Sequence, residues 1–402
     1  MPQPSPPARL LWDSSGLWGL MALESARLLG LPLEPITAAE IIAGHLQGAR
    51  LLVAPGGWPA LKLAALGPAG VEGVRAFVNG GGCYLGFCGG AGLALAGDGG
   101  LGLLPLGRDR GGGRLPSASG PIQVSAPDGA AAHALWRGMD GRAVFHVWFP
   151  GQFARPQGAE VDILAVYDQP MPLFHCADVA VGGLDAQALA GLERQYGLRL
   201  DPGVLLGQPA VIGAHFGAGK VIASYPHLDT TGDGPGGLAL QNLWRFWAGI
   251  DGPAAPDERP AALPSPEAAR LAAEAWDLWQ LGADMGLWRA RHPVMPLWRR
   301  GARGLEFWSL TRMLAFVARH ADTRLARAPF WPSLVESVEA LLRDGPTALA
   351  AQAALLVGRA ATPAQAALHE QWFPAPRRVG GGFKLASDFI ERAALLVARR
   401  AG

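Results

Sequence analysis

Three short segments of this chain carry residue types that can do covalent chemistry together. The first is Gly86-Phe87-Cys88-Gly89-Gly90-Ala91, entered from the apolar run Cys83-Tyr84-Leu85 and followed by a helix-forming stretch that opens at Gly89. A nucleophile needs such a sharp strand-to-helix turn to stand clear of a sheet, and the crowded turn needs glycine neighbours. The partial positive charge of a helix start also favours thiolate over thiol. Taken alone, Cys88 reads equally well as a small buried residue at a tight turn. The second segment is Tyr225-Pro226-His227-Leu228-Asp229, directly after an apolar strand. His227 is a candidate proton shuttle, and Asp229, two residues on, can orient its imidazole. The third is Pro55-Gly56-Gly57, after another apolar strand. The backbone N–H groups of Gly56 and Gly57, with that of Gly89, can donate to an oxyanion.

These segments need a frame that brings them to one edge. Residues 8–13 read as a short buried strand and 17–29 as a helix with Leu17, Leu20, Met21, Leu28 and Leu29 on one side. Residues 38–45 suit a second helix, 50–54 a strand, 70–79 a helix and 83–87 a strand. Such alternation predicts a flavodoxin-like α/β fold, a doubly wound and mostly parallel sheet, which binds ligands at the carboxyl ends of its strands. From about 100 to 208, Gly-rich loops separate β-like stretches at 143–149 and 161–167, which extend the sheet as antiparallel or edge strands. Residues 209–216 and 220–225 flank Gly217-Ala218-Gly219 as a hairpin. A helix follows at 236–249, with Leu238, Leu240, Leu243, Phe246 and Trp247. Three regions result: a domain over 1–250, a Pro-rich linker over 251–265 and an all-α helical domain over 266–402. In the last, helices are expected at 266–282, 304–320, 333–343, 347–360 and 385–400. Its Trp276, Trp279, Trp288, Trp298 and Trp308 suit a bundle core, with any exposed subset a surface for a protein partner.

With these residues in view, the first 250 positions resemble the class I glutamine amidotransferase-like superfamily. The segments Ala54-Pro55-Gly56-Gly57-Trp58, Tyr84 to Ala94 and Tyr225 to Asp229 are most similar to the domain at the N-terminus of biotin–protein ligases. The resemblance implies Cys88 as nucleophile, His227 as base, Asp229 as orienter, and Gly57 and Gly89 as oxyanion donors. It implies a cysteine-dependent hydrolase or amidotransferase-like enzyme acting on a C–N or related acyl bond of a small-molecule substrate. The alternative is a catalytically silent binding or regulatory module of the same fold. Two positions depart from the pattern: Gly92 stands where amidotransferases carry a glutamine-binding Gln, and Asp229 replaces Glu. Glutaminase activity is therefore not expected. The long gap between Cys88 and His227 implies an insertion over about 105–205 that reshapes the pocket. Trp148, Phe149, Gln152 and Phe153 are the expected wall, combining aromatic area with a Gly turn. The ligase chemistry belongs to another domain, and Arg110-Gly111-Gly112-Gly113-Arg114 reads as a surface loop.

Composition narrows the remaining classes. The 402 residues are 50% hydrophobic and 17% charged, with net charge +1, which leaves no nucleic-acid footprint. The lysines are Lys62, Lys220 and Lys384, so Arg dominates the basic residues. Cys83, Cys88 and Cys176 lack zinc or disulfide spacing, so no metal or cofactor is expected, and Cys83 and Cys176 read as core. Apolar runs are too short for a bilayer and the start lacks a signal-peptide pattern, so a cytoplasmic location is expected. His146 and His175 are minor candidates in the insertion. Gly97-Asp98-Gly99-Gly100-Leu101-Gly102 fits a dinucleotide pattern but follows a helix, and Gly217-Ala218-Gly219-Lys220 lacks the Ser/Thr of a phosphate loop.

Overall fold

In the first 100 positions, short runs bounded by glycine- or proline-bearing turns form the strands at the heart of the sheet. In the computed structural model these are β1 (Ala8–Leu11), β2 (Glu34–Ile36), β3 (Leu51–Ala54) and β4 (Cys83–Phe87), the last two buried at every position. The structure describes residues 7–97, 99–109, 115–156, 158, 160–250, 265–292, 294–374 and 380–400. The expected linker, apart from Ser265, and the Arg110–Arg114 loop lie outside the described residues. By contacts the chain divides into two compact units, 1–256 and 257–402.

The helices between these strands are α1 (Gly16–Leu28), α2 (Ala38–Ile42) and α3 (Pro59–Asn79). α1 buries Leu17, Leu20 and Met21 as its periodicity predicts, but Leu28, expected on the same side, is 64% exposed. α2 starts on a capping box, with Thr37 accepting from the Glu40 amide and Glu40 accepting from Thr37 in return. α3 is longer than the predicted 70–79 helix. It starts at Pro59, a residue suited to a first turn, and kinks where Gly67 adopts φ 56° before Pro68.

The remaining strands are β5 (Ser119–Ser125), β6 (Arg142–Trp148), β7 (Asp162–Pro170), β8 (His175–Cys176), β9 (Val179–Ala180), β10 (Pro209–Phe216) and β11 (Gly219–Ser224). The sheet order is β2-β1-β3-β4-β11-β10-β7-β5-β8-β9, with β6 on β5. β2, β1, β3, β4 and β11 are mutually parallel, and from β10 onward the pairing is antiparallel. This is a mixed sheet with a parallel heart and flanking helices, the α/β class expected. Its register decides the site. Ala54 of β3 faces Gly86 of β4, and Phe87 of β4 faces Ser224 of β11. The chain therefore leaves all three strands at one edge, just before Gly56, Cys88 and His227.

Three further helices belong to this unit: α4 (Gly89–Ala94), after β4, α5 (Ala186–Tyr196), in the insertion, and α6 (Gly234–Asn242). α6 continues into a wider π turn over Leu243–Trp247, so the expected single helix over 236–249 changes pitch. Leu238 and Phe246, expected on its apolar side, are exposed.

The second unit is built from α7 (Pro266–Asp284), α8 (Gly304–His320), α9 (Trp331–Leu356), α10 (Pro363–Trp372) and α11 (Gly381–Arg400). Two expectations are corrected here. The predicted helices at 333–343 and 347–360 are one helix, α9, which runs through Gly345-Pro346. Leu278 of α7 packs so tightly on Gly345 that a Cβ would collide with it, and this packing outweighs the local breaker. The unit is also not wholly helical: β12 (Trp288–Arg289) pairs antiparallel with β13 (Leu297–Trp298). Trp279 stacks on Trp288 at 4.5 Å and meets Trp308 at 4.9 Å, a buried aromatic core, while Trp276 is 46% exposed. Among the described residues no helix is long and apolar enough to cross a membrane.

Candidate active site

Cys88 lies between the last residue of β4 and the first of α4 (Gly89–Ala94), with φ 47° and ψ −100°. Non-glycine residues adopt positive φ at a cost, and the surroundings enforce it here. The Cys88 amide donates to Ser224 O at 2.8 Å, tying the turn to β11. α4 presses against the β3 edge so closely that a Cβ on Gly89 would overlap Gly57 O and one on Gly90 would overlap Ala54 O. Tyr84 Oη donates to Gly90 O at 2.8 Å from within β4. These contacts explain the glycine run in the sequence.

His227 and Asp229 follow β11. The segment is held from the other side by the end of β6, where Val147 bridges Pro226 and the His227 amide donates to His146 O at 2.8 Å. Thr230 closes the turn, its amide and hydroxyl both donating to His227 O. His227 Nδ1 and Asp229 Oδ1 are 2.8 Å apart, and both side chains are fully buried. Trp18 stacks on the imidazole at 5.0 Å between ring centroids. On the same side, Gly56 is tightly packed, since a Cβ there would lie 3.0 Å from both His227 Cε1 and the Trp18 indole. Burial lowers the affinity of His227 for its proton. The Asp229 carboxylate beside it and the neighbouring Cys88 sulfur more than offset this, and the pKa is pushed up to about 9.

The sulfur sits near the imidazole but within reach of backbone carbonyls, 3.5 Å from Trp148 O and 3.8 Å from Phe149 O. His227 Nε2 makes no hydrogen bond of regular geometry among the described residues. Such looseness is common before substrate binds. Phe149 itself has φ 58°, so the backbone is strained on both sides of the sulfur.

The sequence-derived residues therefore meet at one edge: Cys88, His227, Asp229, Gly56, Gly57 and Gly89. Trp148 meets them differently than expected. Its carbonyl faces the thiol, but its indole is fully buried, stacked on His146 and donating to Thr230 Oγ1 at 3.1 Å. Phe153 is likewise buried, against Tyr225. Gln152 does line a cavity, together with Gly92, while its amide donates to Val204 O. His146 pairs with Asp233 at 2.9 Å, and His175 is buried beside Leu173 O.

Three residues at the site were not singled out in the sequence. Trp18 covers the imidazole. Lys62 is fully buried beneath the Gly57 loop, its ammonium donating to Asp13 O, Ser14 O and Ser15 Oγ. Arg108 covers Gly92. For Lys62 a signal existed, its rarity in an Arg-rich chain. Trp18 and Arg108 carried none. Among the described residues no cluster of His, Cys, Asp and Glu is arranged to hold a metal ion.

No family model and no curated protein matches the chain. Solved structures similar to it include a ThuA-like protein from Bacteroides uniformis, 13% identical, covering 62% of this chain and 93% of its own, TM-score 0.40. A glutamine amidotransferase is 20% identical, covering 61% and 100%, TM-score 0.37. A β-galactosidase from Bacillus circulans sp. alkalophilus is 14% identical, covering 60% of this chain and 31% of its own, TM-score 0.35. At such scores these likenesses add nothing to what the residues themselves say of chemistry.

Proposed function

We propose that the first unit is a cysteine-dependent enzyme acting on a C–N or related acyl bond, of the glutamine amidotransferase-like kind that its motifs resemble. The observation carrying this reading is one constellation: Cys88 at a strained turn, beside a buried His227 that is itself held by Asp229 at 2.8 Å. In the proposed reaction the Cys88 thiolate attacks the acyl carbon, and the N–H groups of Gly57 and Gly89 hold the resulting oxyanion. The His227 imidazolium gives its proton to the leaving nitrogen, and Asp229 stabilises the charged ring. His227 then takes a proton from water, which hydrolyses the thioester and frees Cys88. Every residue in this scheme belongs to the first unit, and in the helical unit the exposed Trp276 is the kind of residue a protein partner would cover. A reducing, cytoplasmic setting suits a working thiolate.

One observation favours a second reading, a silent binding module. The sulfur lies within reach of two carbonyl oxygens, Trp148 O at 3.5 Å and Phe149 O at 3.8 Å, which suit a neutral thiol donor. Alkylation by iodoacetamide with peptide mapping separates the two. Fast labelling confined to Cys88 supports the enzyme, and a thiol as inert as Cys83 and Cys176 supports the module. Release of ammonia from glutamine is expected to be negligible, since Gly92 has no side chain for holding it. Brisk release abolished by Cys88→Ala would restore a true glutaminase.

A further inference from the structure

Helix α3 begins directly after the Gly57 loop, and Lys62 closes its first turn, its amide donating to Trp58 O at 3.3 Å. A cation there opposes the helix dipole, and its full burial adds a desolvation cost. An apolar side chain of similar length would fill the space at lower cost. The ammonium is directed instead at one loop, the turn between β1 and α1. It donates to Asp13 O at 3.4 Å, to Ser14 O at 3.3 Å and to Ser15 Oγ. The Ser15 hydroxyl gives its own proton to Leu11 O at 2.8 Å, which leaves its lone pairs for the lysine. The Asp13 carboxylate accepts from the Ala38 amide at 2.6 Å and ties the same loop to α2. Ser14, at the centre of this anchorage, holds a strained φ of 52°.

That loop is the wall against which Gly57 rests. A Cβ on Gly57 would lie 2.9 Å from Ser14 O and 3.7 Å from Lys62 Cε. On another side, a Cβ on Gly89 would overlap Gly57 O. The Gly57 backbone is therefore packed between the lysine-bound Ser14 carbonyl and the residue that follows Cys88. Among the described residues the Gly57 amide donates to no backbone carbonyl, which leaves it for an oxyanion. With φ 103°, Gly57 sits where only glycine moves freely, so its N–H needs outside support to keep one direction.

We infer that Lys62 is a positioning residue for the oxyanion hole: by fixing the Ser14 carbonyl against Gly57, it holds the Gly57 N–H where charge would form on the Cys88 adduct. The inference rests on Cys88 being the nucleophile and deepens that reading. Such a donor acts only where negative charge grows on a carbonyl oxygen. Lys62 therefore serves acyl transfer and leaves the reactivity of the thiol itself alone.

The test uses the full chain and two probes of one thiolate. With p-nitrophenyl acetate, the Cys88 sulfur bonds to the acetyl carbon, the carbonyl electron pair collects on oxygen, and its return expels p-nitrophenolate and leaves a thioester. With iodoacetamide, the sulfur displaces iodide from a saturated carbon and no oxyanion forms. Both rates scale with the thiolate fraction, so their ratio, corrected for the Cys88→Ala background, isolates the N–H contribution. In Lys62→Met the acylation-to-alkylation ratio should fall roughly tenfold or more, with the alkylation rate within about threefold of wild type. Ser15→Ala removes one acceptor of the ammonium and should lower the ratio about threefold. An unchanged ratio in Lys62→Met, including the case where both rates fall together, makes the lysine merely structural and overturns the inference while leaving the nucleophile intact. A wild-type ratio no higher than that of N-acetylcysteine shows that no oxyanion hole operates and overturns it too. A Cys88 inert to both probes overturns the nucleophile and this inference with it. If Lys62→Met does not fold, Ser15→Ala decides, and a ratio equal to that of wild type is then the overturning result.

Discussion

One strand, β4, has a thiol at each end, and the two thiols have opposite surroundings. Cys83 opens the strand at the amino edge, where it pairs with Leu51 on one side and Lys220 on the other in regular ladder geometry. It is buried, and burial pushes its pKa up while Lys220 and Arg50 pull it part of the way back. Those cations have structural work there. Lys220 Nζ donates to Trp247 O at 2.8 Å and Arg50 donates to Gly249 O, closing the carboxyl end of the last helix of the unit. Cys88 stands just past the other end of the strand. It is partly exposed, has positive φ, and is met by loops from β3, β6 and β11. The same strand thus offers an inert thiol where the ladder is complete and a candidate nucleophile where it breaks.

The largest expected effect that sharpens this contrast is on backbone packing. Gly90→Ala would drive a methyl into Ala54 O, and we expect a loss of about 4 kcal/mol or failure to fold, read by denaturant titration. At the amino edge Gly81 has positive φ but open space around it, so Gly81→Ala should cost only the backbone strain, about 2 kcal/mol. Similar losses at both ends would remove the distinction.

Next comes the pH dependence set by the His227–Asp229 pair. The folded protein holds the His227 proton more tightly, its pKa raised from 6.5 to about 9. That stabilises the fold fully below the unfolded value, and the contribution disappears as pH rises through the folded one. The stability advantage of wild type over Asp229→Asn should therefore shrink by on the order of 3 kcal/mol between about pH 6 and about pH 9.5. A difference that stays flat with pH would mean the imidazole carries no extra proton at neutral pH.

The third prediction concerns the thiols directly. Near neutral pH Cys88 should be alkylated at least about a hundredfold faster than Cys83 or Cys176, the latter pushed up to about 12 by burial. Cys88→Ala should leave only that slow background. The smallest effect belongs to Lys220→Met. Removing its bond to Trp247 O should cost about 1 kcal/mol and move the Cys83 pKa further up, with Cys88 labelling unchanged. A change at Cys88 would show that the two ends of the strand are electrically coupled.

Much of this arrangement was legible from residue types alone. The apolar runs at 50–54 and 83–87, the hairpin at Gly217, and the glycines around Cys88 each specify local geometry, because burial and positive φ are demands a few neighbouring residues make by themselves. The approximate positions of Cys88, His227 and Asp229 followed, since all three sit just after such runs. Local pattern failed where a distant element set the outcome. Leu28 fits a helical stripe yet is largely exposed, Gly345-Pro346 reads as a break yet is held by Leu278, and Trp148 looks like pocket wall yet turns its indole inward to Thr230.

The sequence by itself determined which residues are capable of chemistry, that a sheet would carry them, and where the backbone would have to bend sharply. Only the tertiary structure decided that β3, β4 and β11 end in register, so that Gly57, Cys88 and His227 share one edge. It alone set Trp18 on the imidazole, Lys62 under the Gly57 loop and Arg108 over Gly92. The physical reason is range. A turn or a strand is fixed by sterics and burial over a few residues, whereas these contacts join segments far apart in sequence, and strand order and register arise only when the whole sheet assembles.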